Sequence, residues 1–406
     1  MMLKRVVVIN DFCTAGGGAA ALAVSSATWL RQRDMEVVFI SGDDNENPIF
    51  REHGIVHVAL GQKSLMEVSP VSALVSGLFN RSARDAILKW IDQNDTDGTV
   101  YHLHNWSQIL SPSIFSALRR VAHRVVLSAH DFFLACPNGA YAIYPKNVAC
   151  PLVPLSLVCI RTDCDRRNYG HKVWRVLRQI VLNSVRDLGG ARPPIIALHE
   201  GMVPLLERGG IALEDIRVLR NPAMPFSESR IRAENNREFL FIGRLHSAKG
   251  ADLAAEAARM AGASLCLVGD GPSRKALEQD YPELKITGWQ SQKGIVSWAT
   301  KARALIMPSR YPEPFGLVAV EALLSGLPVL VASSALLAPE IQARGMGYAC
   351  DPTDIRSMAK LMNMLLDDDR LTQRMSERAF KDAHSLATTP DLWTSELVKI
   401  YQSRVG

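Results

Sequence analysis

Ala304-Leu305-Ile306-Met307-Pro308-Ser309-Arg310-Tyr311-Pro312-Glu313-Pro314-Phe315-Gly316-Leu317-Val318-Ala319-Val320-Glu321-Ala322 reads as strand, loop and helix in succession. The apolar run Ala304–Met307 suits a strand buried on both faces. Pro312 and Pro314 then shape a loop, a helix follows to about Ser325, and Pro328–Val331 is a second buried strand. Strand, helix and strand in that order predict a parallel sheet covered on both sides. The free N–H groups and positive dipole end of the helix make an anion site. Glu313 stands in the loop before it and Glu321 further along the helix. A carboxylate accepts two hydroxyl hydrogen bonds at once, so the pair suits vicinal sugar or ribose hydroxyls around a phosphate. The alternative is a capping Glu and a solvated Glu.

The same pattern extends in both directions. Phe239–Ile242 and Ser264–Val268 read as strands of this sheet, joined by Lys285–Thr287. Gly243-Arg244-Leu245-His246-Ser247-Ala248-Lys249-Gly250 follows the first of these, placing Arg244 and Lys249 at the carboxyl end of the sheet. Glycines on either side permit close backbone approach, and two cations offset a diphosphate without a metal. Exposed turn charges are the alternative. Upstream, Arg5–Ile9, Glu36–Ser41, Thr99–Leu103, Arg124–Ser128, Ile195–Leu198 and Arg217–Leu219 form another strand set. Residues 222–236, polar and interrupted by prolines, read as a linker. The predicted architecture is α/β: two doubly wound Rossmann-like domains, 1–221 and 237–385, facing a cleft, with the helix 386–406 packing back on the first.

A chain of 406 residues has room for two such domains. It is 48% hydrophobic and 21% charged, which excludes disordered and fibrous classes. A net charge of +5 falls short of a dedicated nucleic-acid binder, so no nucleic-acid partner is expected. No apolar run reaches membrane-spanning length, and the first residues read as a buried strand rather than a signal peptide, so a cytoplasmic location is expected.

In the first half, Gly16-Gly17-Gly18 follows the first strand and opens a helix, without the full Gly-x-Gly-x-x-Gly pattern. Asp43 is placed where a dinucleotide enzyme carries its ribose carboxylate, so a nicotinamide site is one reading. His102, His104 and the pair His130-Asp131 stand at strand ends. A satisfied structural role for these histidines is the alternative to a role in the cleft.

Gly-Arg-Leu-x4-Gly at 243–250, Val-Gly-Asp-Gly-Pro at 268–272 and Pro-Ser-Arg-x2-Glu-Pro-Phe-Gly-Leu-x4-Glu-Ala at 308–322 together resemble the retaining family-4 glycosyltransferases of GT-B fold. The resemblance implies transfer of a sugar from a nucleotide diphosphate donor (a UDP-sugar, or a GDP-sugar such as GDP-mannose) with retained configuration and no catalytic metal. It implies that Arg244 and Lys249 hold the diphosphate, Glu321 the ribose and Glu313 the donor sugar. The N–H groups of Phe315, Gly316 and Leu317 would line the sugar and phosphate, with Gly243 and Gly269 also on the donor side. Gly288, within 286–289, would lie near the base. Gly16 and Gly17 would approach the transferred sugar and acceptor, His130 would lie near the reacting sugar, and His104 is an acceptor-site candidate. The expected acceptor is a glycan or lipid-linked hydroxyl in polysaccharide, exopolysaccharide or glycolipid biosynthesis. The alternatives are a nucleotide-sugar 2-epimerase of the same fold and a non-catalytic sugar-nucleotide-binding or assembly protein.

Two features remain. Cys136, Cys150, Cys159 and Cys164 fall in one Pro- and Gly-containing stretch. In a reducing compartment four thiolates suit a structural zinc ion, free thiols being the alternative. From Arg166 to Arg192 the basic residues Arg166, Arg167, Lys172, Arg175, Arg178, Arg186 and Arg192 accompany apolar Val173, Leu177, Ile180, Val181 and Leu188 at helical spacing. A helix docked on its own sheet is one reading. A basic face resting on an anionic membrane, making the protein peripheral, is the other.

Overall fold

The computed structural model describes residues 2–14 and 16–405. The β-branched runs become strands: β1 Arg5–Asn10, β2 Glu36–Ser41, β3 Val56–Ala59, β4 Thr99–Leu103, β5 Val125–Ala129, the hairpin β6 Ala142–Ile143 and β7 Val148–Ala149, β8 Ile195–Ala197 and β9 Ile216–Val218. The second half adds β10 Glu238–Ile242, β11 Leu265–Val268, β12 Lys285–Ile286, β13 Ala302–Met307, β14 Val329–Ala332 and β15 Gly347–Cys350. Among the described residues these give a parallel sheet in the order β3-β2-β1-β4-β5-β8-β9 and another in the order β12-β11-β10-β13-β14-β15. Each is doubly wound, so the carboxyl ends of its central strands meet at a switch point where loops gather.

The chain divides into two compact units. The first comprises 1–140, 151–219 and 390–406; the second comprises 141–150 and 220–389. In the first, Val6, Val8, Val37, Phe39 and Val100 pack with Leu22, Ala23, Ala27 and Leu30 of the helix Gly18–Arg31. The helix Pro390–Val405 adds Trp393, Leu397, Tyr401 and Val405 to this same core. The second core joins Phe239, Phe241, Leu265, Leu267, Ala304 and Ile306 to the alanine-rich helix Ala251–Ala261.

Three expectations need correction. Residues 222–236 are packed within the second unit, with Phe226, Ile231 and Ala233 buried and the Phe226 N–H donating to Ser325 Oγ at 2.7 Å. Polar composition resembled a linker because these side chains anchor through a few apolar residues only. Strands β3 and β15 escaped the sequence reading because both lie at sheet edges, where apolar runs are short and partly exposed.

The third concerns the basic stretch. Its helix is Tyr169–Val185, and its arginines do not form the outward face. Arg178 is buried and donates to the Gly77 carbonyl at 2.8 Å and the Ser107 carbonyl at 2.7 Å, with its guanidinium over Trp106 and Trp174. Arg175 pairs with buried Asp165 at 2.6 Å, and Lys172 is buried. A planar guanidinium can satisfy loop carbonyls and stack on aromatics at the same time, which suits it to this inward position. Val173, Leu177 and Ile180 face solvent instead. No helix among the described residues is long and apolar enough to cross a membrane.

Candidate active site

In the second unit the loops leaving four parallel strands are laced together by main-chain bonds. Gly243 N–H donates to Val268 O at 3.0 Å, Leu245 N–H to Asp270 O at 2.8 Å, Gly269 N–H to Gly288 O at 3.0 Å, and Arg310 N–H to Ala248 O at 2.9 Å. Gly243, Gly269 and Gly288 therefore stand at one edge of the sheet with Arg244 and the 308–316 loop. Gly250 closes the turn Ser247–Lys249 at φ +73°, and a Cβ there would lie 2.1 Å from Pro308 O. Only glycine lets the two loops approach this closely. Arg310 clamps the same junction through both carboxylate oxygens of Asp252, at 2.7 and 2.6 Å.

The approach delivers Lys249 to Glu313. The ammonium donates to both carboxylate oxygens at 2.9 and 2.8 Å, and Ser309 Oγ donates to the carboxylate at 2.9 Å. The Tyr311 ring lies 5.2 Å from Lys249 Nζ. Burial alone would discharge Lys249, but Glu313 and then Tyr311 outweigh it and hold the ammonium above its ordinary range. Burial likewise opposes the Glu313 charge, and Lys249 and Ser309 prevail, holding that carboxyl low. Arg244 is exposed, and its guanidinium has no partner among the described residues.

The helix Leu317–Leu324 begins beside this pair at Gly316, whose φ of +70° is left-handed. It has no side-chain cap and no acid in its first turn. Among the described residues, the N–H groups of Gly316, Leu317 and Val318 have no acceptor. Phe315 is buried under this terminus. Burial pushes the Glu321 carboxyl up to about 8, and no donor among the described residues meets it. Two cations, free helix N–H groups and an unengaged carboxyl thus share one edge of the sheet. Such a set can hold a diphosphate and accept from hydroxyls. Ser309 and Arg310 stood in the quoted motif without an assigned role, and Tyr311 and Asp252 carried no sequence signal of their own.

In the first unit, Gly16, Gly17 and Gly18 precede the helix Gly18–Arg31. Gly17 has φ −178°, which any residue adopts, and a Cβ on any of the three would meet nothing within 4 Å. The fold itself therefore does not require these glycines. Asp43 is buried and accepts from Cys13 N–H at 3.1 Å and Asn45 Nδ2 at 2.6 Å. Its carboxylate braces the loop after β1, which removes the ribose partner of the nicotinamide reading. Asp11 similarly accepts the N–H groups of Gln108, Ile109 and Leu110, fixing the loop after β4.

The histidines form a stack. His104 Nδ1 lies 2.9 Å from His130 Nε2, with their rings nearly parallel and 5.1 Å apart. His102, 4.1 Å from His104, bonds Tyr401 OH at 2.6 Å and Ser128 Oγ at 2.8 Å. Burial lowers His102 to about 3 and His130 to about 4, and with its two neighbours drives His104 well below its ordinary value. All three are neutral imidazoles near pH 7. His104 Nε2 is buried without a partner. Asp131, raised by burial to about 6, accepts from the Phe133 N–H at 2.9 Å. The structure thus joins His102, His104 and His130, which the sequence offered only as strand-end histidines, and adds Tyr401.

Cys136, Cys159 and Cys164 are buried in the first unit, while Cys150 is half-buried at the end of the 141–150 segment of the second. Asn138 receives Cys136 Sγ at 3.3 Å and donates Nδ2 toward Cys164 Sγ at 3.4 Å; Lys172 Nζ donates to Cys159 Sγ at 3.4 Å. Burial opposes the Lys172 charge, yet Cys164 and Cys159 outweigh it and raise its pKa. Their sulfurs suit a zinc ion in ligand type, with the Asn138 amide and the Lys172 ammonium beside them. Cys13, Cys266 and Cys350 are separate buried thiols.

Residues 226–382, all within the second unit, match the model of the family described as glycosyl transferases group 1. The match covers less than half of the chain. A glycogen synthase of Mycobacterium tuberculosis is 30% identical over 275 residues, 63% of either chain, so the match spans less than two thirds of that relative. A D-inositol 3-phosphate glycosyltransferase of Streptomyces coelicolor is 34% identical over 120 residues, covering 28% of this chain and 26% of its own. Among solved structures, sucrose-phosphate synthase from Thermosynechococcus elongatus aligns over 98% of both chains with a TM-score of 0.71 at 15% identity. HepE of Anabaena in complex with UDP aligns over 98% of both with a TM-score of 0.65 at 17% identity. At such identities these likenesses show the fold alone, which is GT-B.

Proposed function

We propose that this chain is a group 1, retaining, family-4 glycosyltransferase. It moves a sugar from a UDP- or GDP-sugar to a hydroxyl of a glycan or lipid-linked acceptor in the cytoplasm, in polysaccharide or glycolipid synthesis. The observation that carries the reading is the Lys249–Glu313 pair set beside the free N-terminus of the Leu317–Leu324 helix. Breaking the anomeric bond leaves positive charge on the sugar and added negative charge on the diphosphate. Lys249, Arg244 and the helix N–H groups stabilise the departing diphosphate, so the chemistry needs no metal. Glu321, neutral at pH 7 in the free protein, binds ribose hydroxyls, and Glu313 aligns both Lys249 and the donor sugar. Gly17 leaves room for the sugar, and neutral His130 hydrogen-bonds it or the acceptor. The departing phosphate takes the acceptor proton on the same face, so no protein nucleophile is assigned.

Thermal-shift titration with UDP-glucose and GDP-mannose, with and without EDTA, tests this. At a hundredfold excess over Kd the cognate donor stabilises the native state by about 2.7 kcal/mol, undiminished by EDTA. Absence of a shift with a full panel of donors, or its loss in EDTA, would overturn the reading.

Cys136, Cys159 and Cys164 of the first unit are proposed to hold a structural zinc ion apart from catalysis. Elemental analysis of the purified protein is expected to find one zinc per chain, lost in Cys164→Ser. Metal-free protein of unchanged thermal stability would refute it.

A further inference from the structure

We infer that His104 is a positioning residue for His130: it donates Nδ1–H to His130 Nε2, and so holds His130 with its own proton on Nδ1, as a hydrogen-bond donor toward a ligand. The two residues follow the paired parallel strands β4 and β5 and leave the sheet at the same end. Their facing nitrogens are 2.9 Å apart, their ring centres 5.1 Å apart, and their planes differ by 18°. The nitrogens therefore lie on the line between the two rings, close to both planes, which aligns an N–H with a lone pair. His104 is only 2% exposed, whereas His130 is partly exposed, so a ligand meets the pair at His130.

Both imidazoles are neutral near pH 7, so each ring carries one proton, and the bond made by one nitrogen settles where that proton sits. Two arrangements fit the contact. If His130 donated, His104 would accept at Nδ1 and keep its proton on Nε2, which is buried and meets no partner among the described residues. If His104 donates, its Nε2 is a bare lone pair. A buried N–H without an acceptor is the rarer and costlier orphan, so the second arrangement is the stable one. His102 cannot rescue the first. Its ring centre is 4.1 Å from that of His104, but its two nitrogens are engaged by Tyr401 OH at 2.6 Å and Ser128 Oγ at 2.8 Å. His130 Nε2 is thereby occupied as an acceptor, and Nδ1 carries the proton. The consequence for chemistry rests on the glycosyl-transfer reading. An Nδ1–H donates to a hydroxyl oxygen of the sugar or acceptor and cannot take its proton, which leaves that proton to the departing phosphate.

The test reads the tautomers directly. Nitrogen-labelled histidine is incorporated into the full chain, and long-range proton–nitrogen correlation spectra of the free protein show which ring nitrogen is protonated. His104 and His130 are each expected to carry the proton on Nδ1. In His104→Leu, which has no donor, His130 is expected to lose this preference. With whichever of UDP-glucose and GDP-mannose the protein binds, kcat is expected to fall about fivefold to tenfold, the value of one hydrogen bond, at little-changed KM. His104→Asn places an amide N–H where Nδ1–H stood and is expected to restore both the tautomer and the turnover. A cooperative melt, with the His102 protonation pattern retained, identifies the folded variants. A wild-type His130 protonated on Nε2 overturns the inference, and so does a His130 tautomer that is the same in wild type and in His104→Leu. The tautomers are read without donor or acceptor, so these failures are distinct from failure of the transfer reading, which shows as a wild type without donor binding.

Discussion

Lys249→Ala is expected to lower kcat by about 10²–10³, the usual consequence of removing one donor aimed at developing charge. Its second effect falls on stability. Glu313 is only 12% exposed and would lose both ammonium bonds, retaining Ser309 and Tyr311. A fully buried pair broken on one side costs about 3–5 kcal/mol; with Lys249 itself 32% exposed, about 1–3 kcal/mol is the expected cost here. The two effects separate in the double variant Lys249→Met, Glu313→Gln. Removing both charges relieves the orphaned carboxylate, so urea unfolding should recover most of the lost stability while kcat stays low. If turnover returned together with stability, Lys249 would be a brace for Glu313 and not a ligand of the leaving group.

Lowering the pH from 7.5 to 5 is expected to move the two units in opposite directions. In the first, His102 and His130 have folded values near 3 and 4 against an ordinary value of about 6.5, and His104 lies well below it too. Their values are depressed, so the stability they contribute is present above about 6.5 and is lost as the pH falls toward 4 and 3. At pH 5 this loss is about 2 kcal/mol for each independently titrating imidazole. Asp131, raised to about 6, has the opposite sign and returns a smaller part. In the second unit Glu321 is raised to about 8, so its contribution is complete below about 4.5 and is lost as the pH rises through 8. Acidification therefore stabilises that unit. Calorimetry should show the transition of the first unit falling and that of the second rising between pH 7.5 and 5. Glu321→Gln should flatten the second trend and leave the first intact. Equal movement of both transitions, or none, would show that the stacked histidines and Glu321 do not titrate in this way.

The parallel sheets and the donor-side motif were readable because buried parallel strands are continuous apolar runs and because the Glu313 and Lys249 loops are short segments with distinctive residues. Edge strands β3 and β15 were not, since partial exposure dilutes the apolar run. The Lys249–Glu313 pair joins residues far apart in sequence, and only the closeness of Gly250 to Pro308 brings them together. The contact of His102 with Tyr401 spans most of the chain and leaves no local trace. The misreading of Arg175 and Arg178 has a different origin. Helical spacing shows that two faces differ, but not which is inward when guanidinium groups can bond loop carbonyls and stack on Trp106 and Trp174.

The return of the helix Pro390–Val405 to the first core has a consequence for synthesis. A ribosome releases the strands of the first unit early, yet Trp393, Leu397 and Tyr401 follow the whole of the second unit. Until then Val6, Leu22 and Val100 lack part of their cover, and His102 lacks the hydroxyl that meets its Nδ1. The second unit, continuous from 220 to 389 apart from its small hairpin, has nearly all of its own chain before that helix is made. The later-encoded unit is thus able to fold first, and the first unit waits, incomplete, for the helix Pro390–Val405 to leave the exit tunnel.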